Sequence, residues 1–178
     1  MTVRFRAIER EDLKQLRDWR NELKGNFREY RMLSMANQEA WFESLLTDKK
    51  TLMYAIEAPA LGGGQELVGV CGWTYIDWLN RHAELSIYIG GQKGKGVGTT
   101  ALEELHRIAF EELNLHTVRL EVYDFNPAKT LYPKLGYKIV GIWRECHFYK
   151  GRYWDSILMD MTREDWLRHI AGVSGDVL

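Results

Sequence analysis

A chain of 178 residues, 46% hydrophobic and 12% aromatic, has the length of one domain and enough apolar matter for a core, which excludes a disordered chain. Its 24 basic and 25 acidic residues leave a formal net charge of −1, so no global basic excess points to nucleic acid or to an anionic membrane. Cys71 and Cys146 are too distant to read as a disulfide framework, residues 1–6 hold no apolar signal core, and the run 67–76 is too short to span a bilayer. A soluble cytoplasmic protein is expected, with neither nucleic acid nor membrane as partner.

Residues 3–8 alternate Val3, Phe5 and Ala7 against Arg4 and Arg6, the pattern of a half-exposed strand. Leu13, Leu16, Trp19 and Leu23 then recur at helical spacing among charged residues, and Gly25 ends that helix. The segment 26–32 mixes aromatics and arginines without a period. Asn37 is read as the cap of a second helix that buries Trp41 and Leu45. Strands over 52–57, 66–75 and 82–89 follow, separated by turns at Pro59 with Gly62-Gly63-Gly64 and at Asn80-Arg81; they form an antiparallel meander.

The meander runs into Gly90-Gly91-Gln92-Lys93-Gly94-Lys95-Gly96-Val97-Gly98-Thr99-Thr100, and then into a helical face made of Leu102, Leu105, Ile108, Ala109 and Leu113. Strand, glycine-rich loop with two lysines, helix: the arrangement suits an anion, because exposed backbone amides and a helix N-terminus both favour negative charge. Two common phosphate motifs fail on spacing. From Gly94 the dinucleotide fingerprint reads Gly94, Gly96 and then Thr99, and neither lysine is followed by the Ser or Thr of a P-loop.

Beyond the loop, Val118, Leu120 and Val122 alternate with Arg119 and Glu121 in a short strand. Asn126-Pro127 opens a short helix that ends at Gly136. Strands over 138–149 and 152–161 flank Lys150-Gly151 as a hairpin, and Thr162 with Asp165 reads as a capping box for a last helix.

This order resembles the GNAT superfamily of acetyl-CoA-dependent N-acetyltransferases over nearly the whole chain. Three stretches carry the resemblance. Lys93-Gly94-Lys95-Gly96-Val97-Gly98 is similar to the family's Q/R-x-x-G-x-G/A signature, with Lys93 in place of Gln or Arg. Asn126 through Leu131-Tyr132 to Leu135-Gly136-Tyr137 is similar to its N…A…LY…LGF segment. Ala83-Glu84-Leu85 opens the fourth strand. With Trp19-Arg20-Asn21, the likeness is greatest to the branch acting on protein N-termini, polyamines and nucleotide-linked amino sugars. Asn126 lies one residue nearer Tyr132 than in the common pattern, and Pro133 follows Tyr132 directly, so the direction of that side chain is open.

The resemblance implies an α/β domain of the α+β type over residues 1–178, with a mixed, mostly antiparallel sheet of about seven strands flanked by helices. It implies direct attack by a primary amine on the thioester of acetyl-CoA, with no metal. The pantetheine arm then lies along Ile87-Tyr88-Ile89. The pyrophosphate falls on Gly94, Lys95, Gly96, Val97, Gly98 and Thr99, with Lys93 as added charge and Asn126 among the cofactor contacts. Tyr132 is expected as general acid, a phenol of pKa ~10 donating to a departing thiolate of pKa ~8.5; a buried structural tyrosine is the alternative. Glu84 is expected to take the proton of the incoming ammonium or to bind its charge, and a carboxylate paired with a neighbouring strand is equally open.

Acceptor selection is expected from Trp19, Arg20, Arg28, Tyr30 and Arg31, with Phe27, Tyr149 and Tyr153 nearby in the pattern; arginines among aromatics suit a nucleotide or another anion. A solvated helix face over core aromatics is the plainer alternative. The acceptor is a small-molecule amine or a peptide N-terminus, with a nucleotide-linked amino sugar ahead of a protein N-terminus or a polyamine. A homodimer fits the apolar C-terminal strands. Five scattered histidines give no ligand spacing, and Cys71 in its apolar strand reads as packing. The competing class is a non-catalytic module that binds an acyl-CoA as a sensor.

Overall fold

The structure, a computed structural model, describes residues 2–173. Strands β1 (Arg4–Arg6), β2 (Leu52–Pro59), β3 (Gln65–Asp77), β4 (His82–Ile89), β5 (Thr117–Tyr123), β6 (Lys138–Tyr149) and β7 (Arg152–Thr162) form a seven-stranded mixed sheet in the order β1-β2-β3-β4-β5-β7-β6. Neighbours β1–β2, β2–β3, β5–β7 and β6–β7 are antiparallel, whereas β4 and β5 pair in parallel. Helices α1 (Leu13–Glu22), α2 (Met35–Leu45), α3 (Val97–Arg107) and α4 (Arg163–Ile170) complete the regular structure. Contacts divide the chain into two compact units, Met1–Ile76 with Leu85–Leu105, and Asp77–Glu84 with His106–Leu178.

In the first unit, Leu13 and Leu16 of α1 bury against Ala55 of β2 and Val70 of β3, and Trp19, Trp41, Phe42 and Leu45 pack around them. Arg6 ties β1 to this core through Asp12 at 2.6 Å and Glu57 at 2.7 Å. The two carboxylates push its guanidinium pKa up against the effect of burial. Ser34, rather than Asn37, caps α2. The Ser34 Oγ accepts from the Asn37 amide, and the Asn37 side chain accepts from the Ser34 amide in return. Asn37 was the visible half of a reciprocal cap whose other half precedes it by one turn.

In the second unit, Val118, Leu120 and Val122 are buried while Arg119 is exposed, as strand alternation requires. Phe110 stacks on Trp166 of α4 at 5.3 Å, and Arg163 donates to the Phe110 carbonyl at 2.6 Å. After α3 the chain enters a π-helical turn, Ile108–Glu112, whose wider step brings Phe110 and Leu115 inward and leaves Leu113 half-buried. Thr162 and Asp165 form the expected capping box on α4, and the β6–β7 hairpin turns through Lys150 and Gly151 at φ 51° and 79°.

The segment 126–136 corrects the expectation of one short helix. It contains two 3-10 turns, Pro127–Thr130 and Pro133–Leu135, with Leu131 and Tyr132 between them. Pro133 lacks the N–H that would continue a helix and instead occupies the first position of a new turn. Among the described residues, no helix is long and apolar enough to cross a membrane.

Candidate active site

β4 ends irregularly. The amides of Gly90 and Gly91 both donate to the Val68 carbonyl, each at 2.9 Å, a bulge-like sharing of one acceptor. On the other side of Val68, the β2–β3 register slips between Ile56 and Glu57. Trp19 covers this end of β4: a Cβ on Gly90 would lie 1.9 Å from the indole Cδ2, so only glycine fits. Gln92, at φ 47°, donates to the Pro59 carbonyl at 2.9 Å and to Glu66 at 2.7 Å, which fixes the start of the loop to the β2–β3 connection. Its role was not read from the sequence, where only the glycines around it stood out.

Gly94 and Gly96 take φ 77° and 82°, a conformation strained for L side chains. An added Cβ at either would meet open space, so backbone conformation rather than crowding calls for glycine. The Thr100 amide donates to the Gly96 carbonyl at 3.1 Å, making Gly96 the entrance to α3. The first amides of a helix have no partner within it, and Gly94 to Thr99 therefore present backbone donors at a positive helix end. Val97 is buried and anchors that turn. Lys93 pairs with Glu22 of α1 at 3.2 Å and Lys95 is exposed, so both add diffuse charge. This donor set fits a diphosphate.

Of the residues expected near the acceptor, Arg20 and Phe27 come together at Tyr88, which was expected to lie along the pantetheine arm of the cofactor. Tyr88 donates to the Leu16 carbonyl at 3.3 Å, and its burial pushes the phenol pKa up. Phe27 meets Tyr88 edge-on at 5.7 Å, and the Arg20 guanidinium lies 3.5 Å from the Phe27 ring centre. Asn21 holds the connection between α1 and α2 by a reciprocal pair with the Leu33 backbone, at 3.0 and 2.8 Å. Arg31 is engaged locally, its Nε and Nη2 each donating to a Glu29 oxygen at 3.0 Å, which holds that carboxyl down at about 2. Arg28 and Tyr30 are exposed.

In the second unit, the parallel ladder sets Glu84 beside Arg119, and Glu84 Oε2 lies 3.8 Å from Arg119 Nε. Glu84 is mostly shielded while Arg119 is half exposed. The geometry thus contains the pairing with a neighbouring strand that the second reading of Glu84 describes.

Tyr132 is buried at 8% exposure, and that burial raises its phenol to about 12. Its carbonyl accepts from the amides of Leu135 at 3.0 Å and Tyr137 at 3.2 Å. Gly136, at φ 97°, turns the chain so that the Tyr137 ring meets Tyr132 edge-on at 5.7 Å. Tyr137 in turn shares a 2.9 Å hydrogen bond with His106, whose burial pushes its pKa down to about 3. A histidine inside the apolar stripe Leu102, Leu105, Ala109 was the sequence signal for this buried pair. Asn126 caps the first 3-10 turn, its side chain accepting from the Ala128 amide at 2.9 Å.

Tyr149 joins a second aromatic group on the hairpin, packed on Phe125 at 5.2 Å, while Tyr123 and His147 stack at 3.8 Å. Tyr153 instead packs on Phe148 and stays exposed. Cys71 is buried and its thiol is pushed well up, away from thiolate chemistry. Among the described residues, no cluster of His, Cys, Asp or Glu is placed to hold a metal ion.

The family model described as "Acetyltransferase (GNAT) domain" matches residues 5–158. The SPbeta prophage-derived N-acetyltransferase YokL of Bacillus subtilis is 28% identical over 167 residues, 91% of this chain and 90% of that protein. The spermidine N(1)-acetyltransferase of Escherichia coli K12 is 26% identical over 93% of this chain and 89% of its own length. The crystal structure of spermidine N-acetyltransferase from Vibrio cholerae in complex with CoA and spermine superposes with a TM-score of 0.82 at 27% identity, covering 93% of this chain and 98% of that one.

Proposed function

Since the chain belongs to the acetyltransferase (GNAT) domain family and is an acetyl-CoA-dependent N-acetyltransferase, we propose that it acetylates a primary amine by direct attack, with Tyr132 as the proton donor. Acetyl-CoA supplies the acetyl thioester. The backbone of Ile87, Tyr88 and Ile89 and the amides from Gly94 to Thr99 hold it, with Lys93 and Lys95 as electrostatic support. The observation that carries the reading is the locked, buried Tyr132. A phenol raised to about 12 stays protonated across the neutral range and can donate to a departing sulfur. Asn126 serves the site through the turn it caps. Glu84 receives the ammonium or its proton.

Two acceptor classes have separate support. A polyamine agrees with the substrates named for the relatives. An amine that also carries an anion, such as a nucleotide-linked amino sugar, agrees with the state of Arg20. Arg28, Tyr30 and Arg31 line the connection between α1 and α2 and contribute to this choice. A thiol-release assay with acetyl-CoA and spermidine, a uridine diphosphate amino sugar and a peptide with a free N-terminus tests the reading. Turnover on one of them that is lost in Tyr132→Phe is expected. Tight CoA binding without turnover on any amine overturns it in favour of an acyl-CoA sensor.

We also propose that two copies associate through β6. It is the last strand in the sheet order, and Ile139, Val140, Ile142 and Trp143 along it are more than half exposed. Light scattering at micromolar concentration should give the dimer mass for the native chain and a monomer for Ile142→Lys. A monomeric native chain removes the proposal.

A further inference from the structure

In the first unit, several basic side chains hold acidic partners. Arg6 holds Asp12 and Glu57, Arg10 holds Glu43, Lys14 and Arg17 share Asp18, and Arg31 holds Glu29. Arg20 is different. Its guanidinium carbon lies 3.5 Å from the Phe27 ring centre and 6.0 Å from that of Tyr88, and among the described residues no hydrogen bond and no ion pair engages it. Desolvation pushes its pKa down, and Glu29, the acid whose charge acts on it, has both carboxylate oxygens bound by Arg31.

A guanidinium in this state has five donors and one stacked face. The stack orients the planar fork while leaving its donor edge unused, and partial burial strengthens any charge-assisted bond it later makes. Its surroundings are fixed. Asn21 pins the connection that carries Phe27, Tyr88 is tied to the Leu16 carbonyl, and the adjacent Trp19 covers the Gly90 end of β4. The ring of Tyr88 and the backbone at Gly90 both belong to the strand end that leads into the loop assigned to the cofactor.

We propose that Arg20 is an anion subsite for the acceptor, taking a carboxylate or phosphate carried by the amine substrate. The proposal rests on the acetyltransferase reading given above. The phosphates of the cofactor are the other source of such an anion, but the glycine loop, the α3 N-terminus, Lys93 and Lys95 already supply donors of that kind. An acceptor without an anion, such as spermidine, leaves the Arg20 fork unpaired and meets a like charge.

The test uses matched amines, phosphoethanolamine against ethanolamine and a uridine diphosphate amino sugar against the free amino sugar, together with spermidine. Native protein, Arg20→Lys and Arg20→Met are compared in kcat/KM, with thermal melts to confirm folding. The native chain should prefer the anionic member of a pair by tenfold or more. Both variants should lose roughly 10- to 100-fold on that member, since lysine keeps the charge but not the fork, and spermidine turnover should rise in Arg20→Met. A preference for spermidine untouched by the variants overturns the subsite. Calorimetric titration with CoA separates the sources: a loss of CoA affinity in Arg20→Met with acceptor preference unchanged assigns the arginine to the cofactor and overturns the proposal. Titration with the uridine diphosphate amino sugar decides the subsite even without turnover. Binding that Arg20→Met abolishes supports it while the transferase reading fails, and equal binding to both proteins overturns it.

Discussion

The loop from Gly90 to Thr100 and the segment from Asn126 to Tyr137 solve opposite problems. The loop is exposed from Lys93 to Gly96 and works with its backbone: left-handed glycines, a helix entrance, and side chains such as Gln92 and Lys93 that bind other segments. The segment buries Tyr132, Leu135 and Tyr137 and works with one side chain, Tyr132, whose carbonyl, ring and following turn are all held. Holding a phosphate-bearing cofactor needs many weak donors and tolerates changes of side chain. Keeping a phenol neutral and aimed needs burial and a defined set of neighbours.

The contrast breaks most sharply at Tyr132. Tyr132→Phe should lower kcat by about 100- to 1000-fold with the KM for acetyl-CoA nearly unchanged, as expected when a general acid is removed. Because burial raises the phenol to about 12, the native kcat–pH profile should show no basic limb from this group below pH ~10. A limb near pH 9 that vanishes in the variant would contradict the raised value.

His106 sharpens the comparison next. Replacing it by Leu leaves the Tyr137 hydroxyl without its buried partner and should cost about 1–3 kcal/mol in urea unfolding. The sign of its pH effect follows from a folded pKa of about 3 against an ordinary 6.5. Below pH 6.5 the unfolded chain takes up a proton that the folded chain refuses, so stability present above 6.5 is lost as pH falls toward 3. The slope approaches ~1.4 kcal/mol per pH unit from this group, and His106→Leu should flatten it.

On the loop side, Gly90→Ala pushes a methyl into the Trp19 indole and should cost about 1–3 kcal/mol with a raised KM for acetyl-CoA. Gly96→Ala meets no atoms but keeps a positive φ, so about 1–2 kcal/mol of strain is expected, seen either in the melt or in weaker CoA binding. Lys93→Ala should be the smallest effect, within ~0.5 kcal/mol of stability because its pair with Glu22 is exposed, and with less than a tenfold change in CoA affinity. A large loss there would mean that the lysine, rather than the backbone, holds the diphosphate.

What could be read in advance follows the range of the forces involved. The strands, the hairpin turn at Lys150-Gly151, the Thr162–Asp165 cap and the glycine loop each rest on contacts within a few residues. Errors arose where a local signal was shared or interrupted. Asn37 looked like a cap because it is half of one, and Pro133 changed a helix into two turns around Tyr132. Glu84 was visible as an acid, but its Arg119 partner lies on a strand brought alongside by the parallel crossover.

The sequence by itself determined the fold family, the anion-holding loop and the identity of the tyrosine, because propensity, capping and glycine conformations are encoded within a turn or two. Tertiary structure alone decided that Gly90 must be glycine beneath Trp19, that His106 and Tyr137 back Tyr132, and that Arg20 stands on Phe27 while several other basic side chains are paired. Those relations depend on which surfaces pack and which carboxylates are already taken, and neither is written in the spacing of residues along the chain.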